Sequence, residues 1–172
     1  ETEKWLNNLG GESLAPGHIR LPRGNAVETL PGYGEGAWWV QDLAASIPVR
    51  LLGEGNGRSV LDLCAAPGGK TLQLASQGWA VTALDLSAKR LMRLNDNLER
   101  TGLAAEAVTA DLRKWDADKQ YDAVLLDAPC TATGTFRSHP DVLHRIGARQ
   151  IAELVALQTE MLDSAANWVK PG

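Results

Sequence analysis

Acidic side chains stand at or near the ends of four short apolar segments. Asp62 lies in SVLDL, Asp85 in AVTALDL, Asp111 in AEAVTADL and Asp127 in YDAVLLDAP. If these segments are strands of one parallel sheet, ligands bind outside their carboxyl ends. Carboxylates there favour a ligand that carries positive charge or many hydrogen-bond donors, with Asp85 placed to accept from ribose hydroxyls. Any one of these aspartates could instead cap the following helix, an alternative that is weaker for the whole set.

The loop after the first of these segments, within VLDLCAAPGGKT at 60–71, could at first sight bind phosphate. A Walker loop requires a glycine where this chain has Cys64, because a Cβ disfavours the backbone turn that aims N–H groups at phosphates. Pro67 also removes one N–H donor. The sequence therefore predicts a strand-to-helix turn in which Gly68 and Gly69 let a ligand approach the backbone at a helix N-terminus. Such a turn suits a carboxylate as well as a phosphate.

An alternating order of strands and helices must position these residues. From Arg58 onward each of the four apolar segments is usually followed by a helical pattern, although the interval 111–121 is too short for more than a turn. This order predicts an α/β fold with a parallel sheet built from right-handed crossovers. YDAVLLDAP is almost continuously apolar, as is typical of a strand covered on both faces. The predicted helices span residues 71–76, 88–101 and 142–168.

The first part of the chain is rich in glycine and proline. Residues 18–22 predict a short strand or hairpin, and WWVQDLAASIPVRLL predicts a helix that Pro48 interrupts. We therefore divide the chain into an N-terminal extension, 1–57, that packs on a core domain, 58–172.

The sequence after the last helical pattern is Lys-Pro-Gly, which predicts a turn into another strand. A sheet of only four strands would leave a very apolar strand at an unprotected edge. We therefore expect the chain to be a fragment, truncated before the last strands of its sheet.

Composition narrows the class of protein. The 172 residues suffice for one domain, and no apolar run approaches the roughly 20 residues of a membrane span. Two distant cysteines are a poor disulfide framework, which favours a reducing, cytoplasmic setting. The three histidines lack metal-ligand spacing, so no metal site is predicted. The net charge of −4 means that any nucleic-acid partner needs a local basic patch or another domain.

Several strings occur in the order and at the spacing of a known family. They are GYGEGAWWVQDLAAS, VLDLCAAPGGKT, ALDLS, RLNDNLERTGL, TADLRKW, YDAVLLDAPCTATGTFRSHPDV and RQIAELVALQTEMLDSAANWVKPG. Over residues 17–172 the chain resembles the catalytic domain of RNA cytosine-C5 methyltransferases that use S-adenosylmethionine, and is most similar to the bacterial 16S ribosomal RNA methyltransferase B group. The resemblance implies a Rossmann-like methyltransferase fold, an RNA substrate and a monomeric full-length protein.

The resemblance also implies individual roles. Asp85 would hold the ribose hydroxyls, Asp111 would sit by the adenine amino group, and Asp127 would lie between cofactor and target base. The loop that would wrap the methionine part of the cofactor consists of Cys64, Ala65, Ala66, Pro67, Gly68, Gly69 and Lys70.

Methylation at cytosine C5 requires a cysteine. C5 becomes nucleophilic only after a thiolate adds to C6, and an acid near N3, a role that fits Asp127, assists the addition. In the family that this chain resembles, the attacking cysteine follows the Lys-Pro-Gly turn, so we expect it beyond Gly172. Cys130 matches the family's second cysteine, which assists product release. In DNA cytosine methyltransferases the Pro-Cys at this position is instead the nucleophile, so both roles stay open.

Contacts with RNA are less specific. Arg137 could contact a phosphate or belong to a purely structural loop, and Trp38 and Trp39 could stack on a base or pack against a helix. The basic run KRLMRLNDNLER is expected to face solvent. Two other functions remain: a fragment that binds cofactor or RNA without catalysis, and a nucleotide hydrolase, against which the missing glycine argues.

Overall fold

The computed structural model describes residues 2–22, 24, 26–136 and 139–171. Arg137, the predicted phosphate contact, lies outside the described residues.

A parallel sheet of four strands forms the centre of the molecule. The strands are β3 (Ser59–Leu63), β4 (Ala80–Asp85), β5 (Glu106–Thr109) and β6 (Ala123–Leu126). Their order is β5-β4-β3-β6, and Leu61 of β3 pairs with Thr82 on one side and Val124 on the other. The predicted α/β fold and parallel sheet are confirmed. Because β6 is an edge strand, three of its four residues are only half-buried, less than its apolar sequence predicts.

Helices cover this sheet. They are α2 (Leu43–Leu52), α3 (Gly69–Ser76), α4 (Ala88–Thr101), α5 (Val142–Arg145) and α6 (Ala148–Asn167). Helix α4 has the predicted bounds, α3 begins two residues earlier than predicted, and the long C-terminal pattern is divided between α5 and α6. The predicted interruption at Pro48 is wrong: α2 continues through it, anchored by the buried Ser46 and Val49 and capped by the Asp42 carboxylate, which accepts from Ala44 N–H at 2.8 Å.

The N-terminal residues contain helix α1 (Thr2–Leu9), which the sequence did not predict, and a hairpin of β1 (Glu12–Ala15) and β2 (His18–Arg20), which it did. The segment after the hairpin is fixed to the end of α4. Arg100 donates to the carbonyls of Tyr33 at 2.6 Å and Trp38 at 3.0 Å, and its guanidinium lies 4.0 Å from the Tyr33 ring centroid. These contacts hold the segment before α2 against the sheet domain.

Apolar side chains of β3 and β4 occupy the core between the helices. Leu61, Leu63 and Leu84 pack with Met161 and Trp168 near the end of α6. The other face contains Leu72, Leu91, Leu94 and Ala83. Burial of these leucines is the main stabilising contribution, at about 25 cal/mol per Å² of apolar surface.

The chain after α6 returns to the sheet beside β6. Tyr121 N–H donates to the Trp168 carbonyl at 2.7 Å, and Lys170 N–H donates to the Tyr121 carbonyl at 2.9 Å, forming a parallel bridge between Tyr121 and Val169. Across the described part of the chain, no helix combines the length and the apolarity needed to cross a membrane.

Candidate cofactor site at the strand ends

The site lies where strand order reverses. The chain passes from β3 outward to β4 and β5, and then crosses to the other side of β3 to form β6. Crevices at such switch points, outside the carboxyl ends of the strands, are where ligands bind in open α/β sheets. The turn between β3 and α3 lies at this point.

The turn has an unusual backbone. Cys64 has φ = 61° and Gly68 has φ = 110°, both in the left-handed region, and the Ala66–Pro67 peptide bond is cis. The sequence argument against a phosphate loop assumed that the Cβ of Cys64 disfavours such a backbone turn. This assumption was wrong, because Cys64 adopts the left-handed conformation despite its Cβ. Two backbone hydrogen bonds hold the turn in this conformation. Ala65 N–H donates to the Leu84 carbonyl at 3.1 Å, and Gly68 N–H donates to the Ala65 carbonyl at 2.9 Å.

The two glycines of the turn differ in what surrounds them. A Cβ on Gly68 would lie 2.9 Å from Cγ of Leu94, so Gly68 lets the turn pack against α4. A Cβ on Gly69 would meet nothing closer than Cγ of Gln41 at 3.6 Å. The Gln41 side chain therefore already covers Gly69 in ordinary van der Waals contact, and a Cβ would be tolerated there.

Asp85 is held tightly at the end of β4. The residue is 2% exposed, and its carboxylate accepts from Ala66 N–H at 3.1 Å and Ser87 N–H at 2.9 Å. Nη1 of Arg90 lies 3.4 Å from Oδ2 of Asp85, and the same guanidinium donates to the Ala66 carbonyl. Arg90 thereby joins α4, the turn and the strand end, although its side chain is 53% exposed, as expected for a basic run on the outer face of the helix.

Asp111 follows β5 by two residues and is paired with Arg113. Nη2 of Arg113 lies 2.7 Å from Oδ2, and Nε lies 3.0 Å from Oδ1, a bidentate geometry. The hydrogen bonds from Arg113 lower the pKa of Asp111. Asp111 is therefore an anion at neutral pH.

Asp127 follows β6 directly and is about half exposed. The ammonium of Lys70, in the first turn of α3, lies 2.7 Å from Oδ2 of Asp127, and the Lys70 side chain is only 16% exposed. Cys130, three residues further, is exposed, and its Sγ accepts from Ala132 N–H at 3.4 Å. The structure thus links the turn after β3 to the loop after β6 through one ion pair.

Asp62, one residue before the end of β3, is fully buried. Its Oδ2 accepts from the Thr71 hydroxyl at 2.6 Å, whereas Oδ1 has no hydrogen-bond partner among the described residues. Burial raises the pKa of Asp62 to about 7, opposed by the Thr71 hydrogen bond and the Lys70 charge. Burial and the neighbouring carboxylate of Asp85 also raise the pKa of the Cys64 thiol, to about 11.

Sequence analysis missed the two arginines and the role of Thr71. Arg90 and Arg113 follow their aspartates by five and two residues. An arginine that follows a strand-end aspartate within a few residues is the sequence signal that could have indicated an ion pair. The Asp62–Thr71 bond could not have been inferred from spacing alone, because it depends on how the turn folds back onto β3.

Known proteins match this chain over a region that includes the turn after β3 and the strand-end aspartates. Residues 49–172 match the family model described as 16S rRNA methyltransferase RsmB/F. The protein named Ribosomal RNA small subunit methyltransferase B from Klebsiella pneumoniae (strain 342) is 46% identical, and the match covers 99% of this chain and 42% of that protein. The protein of the same name from Erwinia tasmaniensis is 44% identical, with the same coverage.

Solved structures agree. The crystal structure of PH0851 matches with a TM-score of 0.92 and 32% identity over 100% of this chain and 42% of that one. NSun6 from Pyrococcus horikoshii, solved with SFG, matches with a TM-score of 0.79 and 28% identity over 90% of this chain and 41% of that one.

The sheet order, the turn and these neighbours define the fold of S-adenosylmethionine-dependent methyltransferases. The chain belongs to the 16S rRNA methyltransferase RsmB/F family, whose cofactor is S-adenosylmethionine. The resemblance stated from the sequence motifs is confirmed. The chain spans about two fifths of the length of the relatives that it matches.

Proposed function

We propose that the chain is the cofactor-binding part of an enzyme that methylates C5 of a cytidine in 16S ribosomal RNA. The observation that carries this proposal is the convergence of Asp85, Asp111 and Asp127 at the ends of three parallel strands around one glycine turn. Family membership and the names of the relatives support an rRNA substrate. A nucleotide hydrolase finds no support among these relatives.

The residues at the strand ends fit S-adenosylmethionine. The cofactor carries a positively charged sulfonium and an ammonium, which nearby carboxylates stabilise. Its ribose hydroxyls can donate hydrogen bonds to a carboxylate at a strand end. Asp85 would hold the ribose, and Asp111 would lie by the adenine amino group. The methionine part would lie along the turn of Cys64, Ala65, Ala66, Pro67, Gly68, Gly69 and Lys70. When bound, the cofactor supplies an electrophilic methyl group.

Asp127 and Lys70 act on the target base in this proposal. Asp127 is half exposed. In its protonated form it can donate its proton to N3 of a cytosine while a thiolate adds to C6, and N3 returns that proton when the thiolate leaves. The Lys70 ammonium holds Asp127 in place at 2.7 Å. After methyl transfer a base removes the C5 proton, and the thiol leaves as the C5–C6 double bond re-forms.

We propose that the attacking thiolate comes from a cysteine outside these 172 residues and that Cys130 assists release. Cys64 is a poor nucleophile, because its pKa of about 11 keeps it a thiol at neutral pH. Cys130 is exposed on the loop after Asp127, where it can reach a bound base. The length of the relatives, more than twice that of this chain, leaves room for a further cysteine.

The remaining expectations are proposals of the same kind. Residues 1–57 act as an extension that packs on the methyltransferase core of 58–172. The intact enzyme is a cytoplasmic monomer, and site choice on RNA depends on surfaces beyond this core.

A chimaera tests the proposed reaction. This chain would replace the matching part of the Klebsiella relative, in cells that lack that relative, and the nucleosides of 16S rRNA would be analysed by mass spectrometry. We expect C5-methylcytidine from the chimaera and none from its Asp127→Asn variant. Methylation at another atom, or full activity of the variant, would contradict the proposal.

The isolated chain provides the second arm of this test. We expect it to bind S-adenosylmethionine but to transfer no methyl group to RNA. C5-methylcytidine formed by the isolated chain would show that the nucleophile lies within these residues, with Cys130 as the candidate.

A further inference from the structure

The turn that carries Asp111 is fixed to the rest of the domain through its backbone. Ala110 N–H donates to the Asp85 carbonyl at 3.2 Å, so this turn lies directly beside the end of β4. The N–H groups of Lys114 and Trp115 each donate to the Asp111 carbonyl at 2.9 Å. These bonds hold the backbone of Asp111, and the orientation of its side chain depends on other contacts.

Two neighbours of Arg113 anchor the same turn in the core. Leu112 is 3% exposed and belongs to the core cluster around Leu61. The Trp115 ring packs edge-on against the Trp168 ring, with the ring centroids 5.1 Å apart. The Arg113 side chain between them is 42% exposed. Its guanidinium therefore lies at the surface of a turn that is itself held firmly.

Arg113 uses most of the acceptor capacity of the Asp111 carboxylate. Oδ1 accepts from the backbone N–H of Arg113 at 3.1 Å and from its Nε at 3.0 Å. Oδ2 accepts from Nη2 at 2.7 Å. Each carboxylate oxygen has two lone pairs, so donors among the described residues occupy three of the four acceptor positions. The position that is left, on Oδ2, can accept one N–H donor from a defined direction.

A second carboxylate holds the other side of the guanidinium. Nη1 of Arg113 lies 3.8 Å from Oε2 of Glu160 in α6. The guanidinium is thus placed between the turn after β5 and helix α6, and its planar, bidentate contact fixes the plane of the Asp111 carboxylate. The bonds from Arg113 also lower the pKa of Asp111. At neutral pH this carboxylate is therefore ionised and can only accept hydrogen bonds.

We propose that Arg113 makes the cofactor site selective for adenine, because it orients the Asp111 carboxylate so that the free position on Oδ2 meets the exocyclic amino group. This inference rests on the proposed function, because it takes Asp111 to lie by the adenine. The carboxylate bonds the amino group of adenine and repels the carbonyl oxygen that hypoxanthine carries at the same ring position. Arg113 is a positioning residue, since it acts through Asp111.

The loss of Arg113 would remove this selectivity by freeing the carboxylate. Without the guanidinium, the side chain of Asp111 can rotate and both of its oxygens regain acceptor positions. Hypoxanthine presents an N1–H donor next to its carbonyl oxygen, and a rotated carboxylate can accept from that donor. The hydrogen bond to adenine is weakened at the same time, because the carboxylate no longer points in one direction.

Two ligands that differ only in the purine test the inference. S-Adenosylhomocysteine carries adenine, its deaminated analogue S-inosylhomocysteine carries hypoxanthine, and neither has the sulfonium charge. Isothermal titration calorimetry would measure both dissociation constants for the parent chain, Arg113→Ala and Arg113→Lys. The matched control is Arg149→Ala, which removes an arginine that pairs with Glu153 at 2.8 Å on the exposed surface of α6. Thermal unfolding of each variant would verify that it is folded.

We expect the parent chain to bind the adenine ligand about tenfold or more tightly than the hypoxanthine ligand, the effect of one hydrogen bond to a charged group. In Arg113→Ala the two affinities should become nearly equal. Arg113→Lys keeps the positive charge but cannot bond both carboxylate oxygens, so its selectivity should fall as well. The control Arg149→Ala should keep the selectivity of the parent chain.

A purely structural role of Arg113 would weaken the binding of both ligands equally and leave their ratio unchanged. An unchanged ratio in Arg113→Ala, parental selectivity in Arg113→Lys, or equal affinity of the parent chain for both ligands overturns the inference. If the parent chain does not bind S-adenosylhomocysteine at all, the proposed function itself is contradicted.

Discussion

Asp62 is expected to make the stability of this domain depend on pH. Its carboxyl group is fully buried at the end of β3, with one oxygen bonded to Thr71 and the other without a partner among the described residues. Lys70 favours the charged form, whereas Asp85 and Asp127 oppose it, and burial dominates. The pKa is raised from 3.8 to about 7 in the folded protein. This shift corresponds to about 4 kcal/mol between the two protonation states.

The sign follows from proton linkage. Because the folded pKa is raised, the contribution of Asp62 to stability is fully present below pH 3.8 and is lost as pH rises to about 7. Between pH 5 and pH 8 the loss amounts to about 3 kcal/mol. Asp62→Asn cannot ionise and retains an oxygen that can accept from Thr71, so this part of the pH dependence should vanish.

Urea unfolding at pH 5, 6, 7 and 8 measures this effect, with the unfolding free energy compared between the parent chain and Asp62→Asn. The control is Asp163→Asn, an exposed carboxylate on α6. We expect the stability difference between Asp62→Asn and the parent to increase by about 3 kcal/mol from pH 5 to pH 8, and the control to follow the parent. Parallel curves for the parent and Asp62→Asn would refute the reasoning.

Two further predictions concern the turn and the cysteines. Gly68→Ala places a Cβ at 2.9 Å from Leu94 on a backbone with φ = 110°, so it should destabilise the fold by about 1–3 kcal/mol. Gly69→Ala, whose Cβ would make only ordinary contact with Gln41 at 3.6 Å, should change the thermal unfolding midpoint little. Equal midpoints for both variants would show that the turn can relax. Iodoacetamide at pH 8 should alkylate the exposed Cys130 well before the half-buried Cys64, whose pKa is about 11. Peptide mass spectrometry would detect the order of alkylation. Faster labelling of Cys64 would contradict this prediction.

The fold was predictable where local pattern and global order agree. The strands of the sheet are short, and helical patterns separate β3, β4 and β5, so this alternation predicts a parallel sheet. Ser87 and Gly102 fix the ends of α4 at the predicted residues. Pro48 misled the prediction because tertiary burial of Val49 and Ser46 outweighs the lost backbone bond. Helix α1 was missed although Trp5, Leu6 and Leu9, all partly buried, form an apolar face, because its eight residues are too few for a clear helical period.

The candidate site was predictable in position but not in detail. Asp85, Asp111 and Asp127 do lie at or just after the carboxyl ends of β4, β5 and β6, because the parallel strands of one sheet bring these ends to the same edge. Their partners depend on three-dimensional contacts: Arg90 reaches back from α4 to Asp85, and Lys70 reaches across from α3 to Asp127. These long side chains connect elements whose distance in space does not follow from the separation of the residues along the chain. The pairing of charges in the site could therefore not be deduced from the sequence.

Binding of the methyl donor is the most direct test of the central claim. Isothermal titration calorimetry of the parent chain with S-adenosylmethionine should give a dissociation constant on the order of micromolar, and ATP with Mg²⁺ should give no heat of binding. Asp85→Ala should abolish cofactor binding because the carboxylate at the end of β4 is lost, and the exposed Asp163→Asn should bind as the parent does. Binding of ATP–Mg²⁺ in place of S-adenosylmethionine, or undiminished cofactor affinity of Asp85→Ala, would contradict the account.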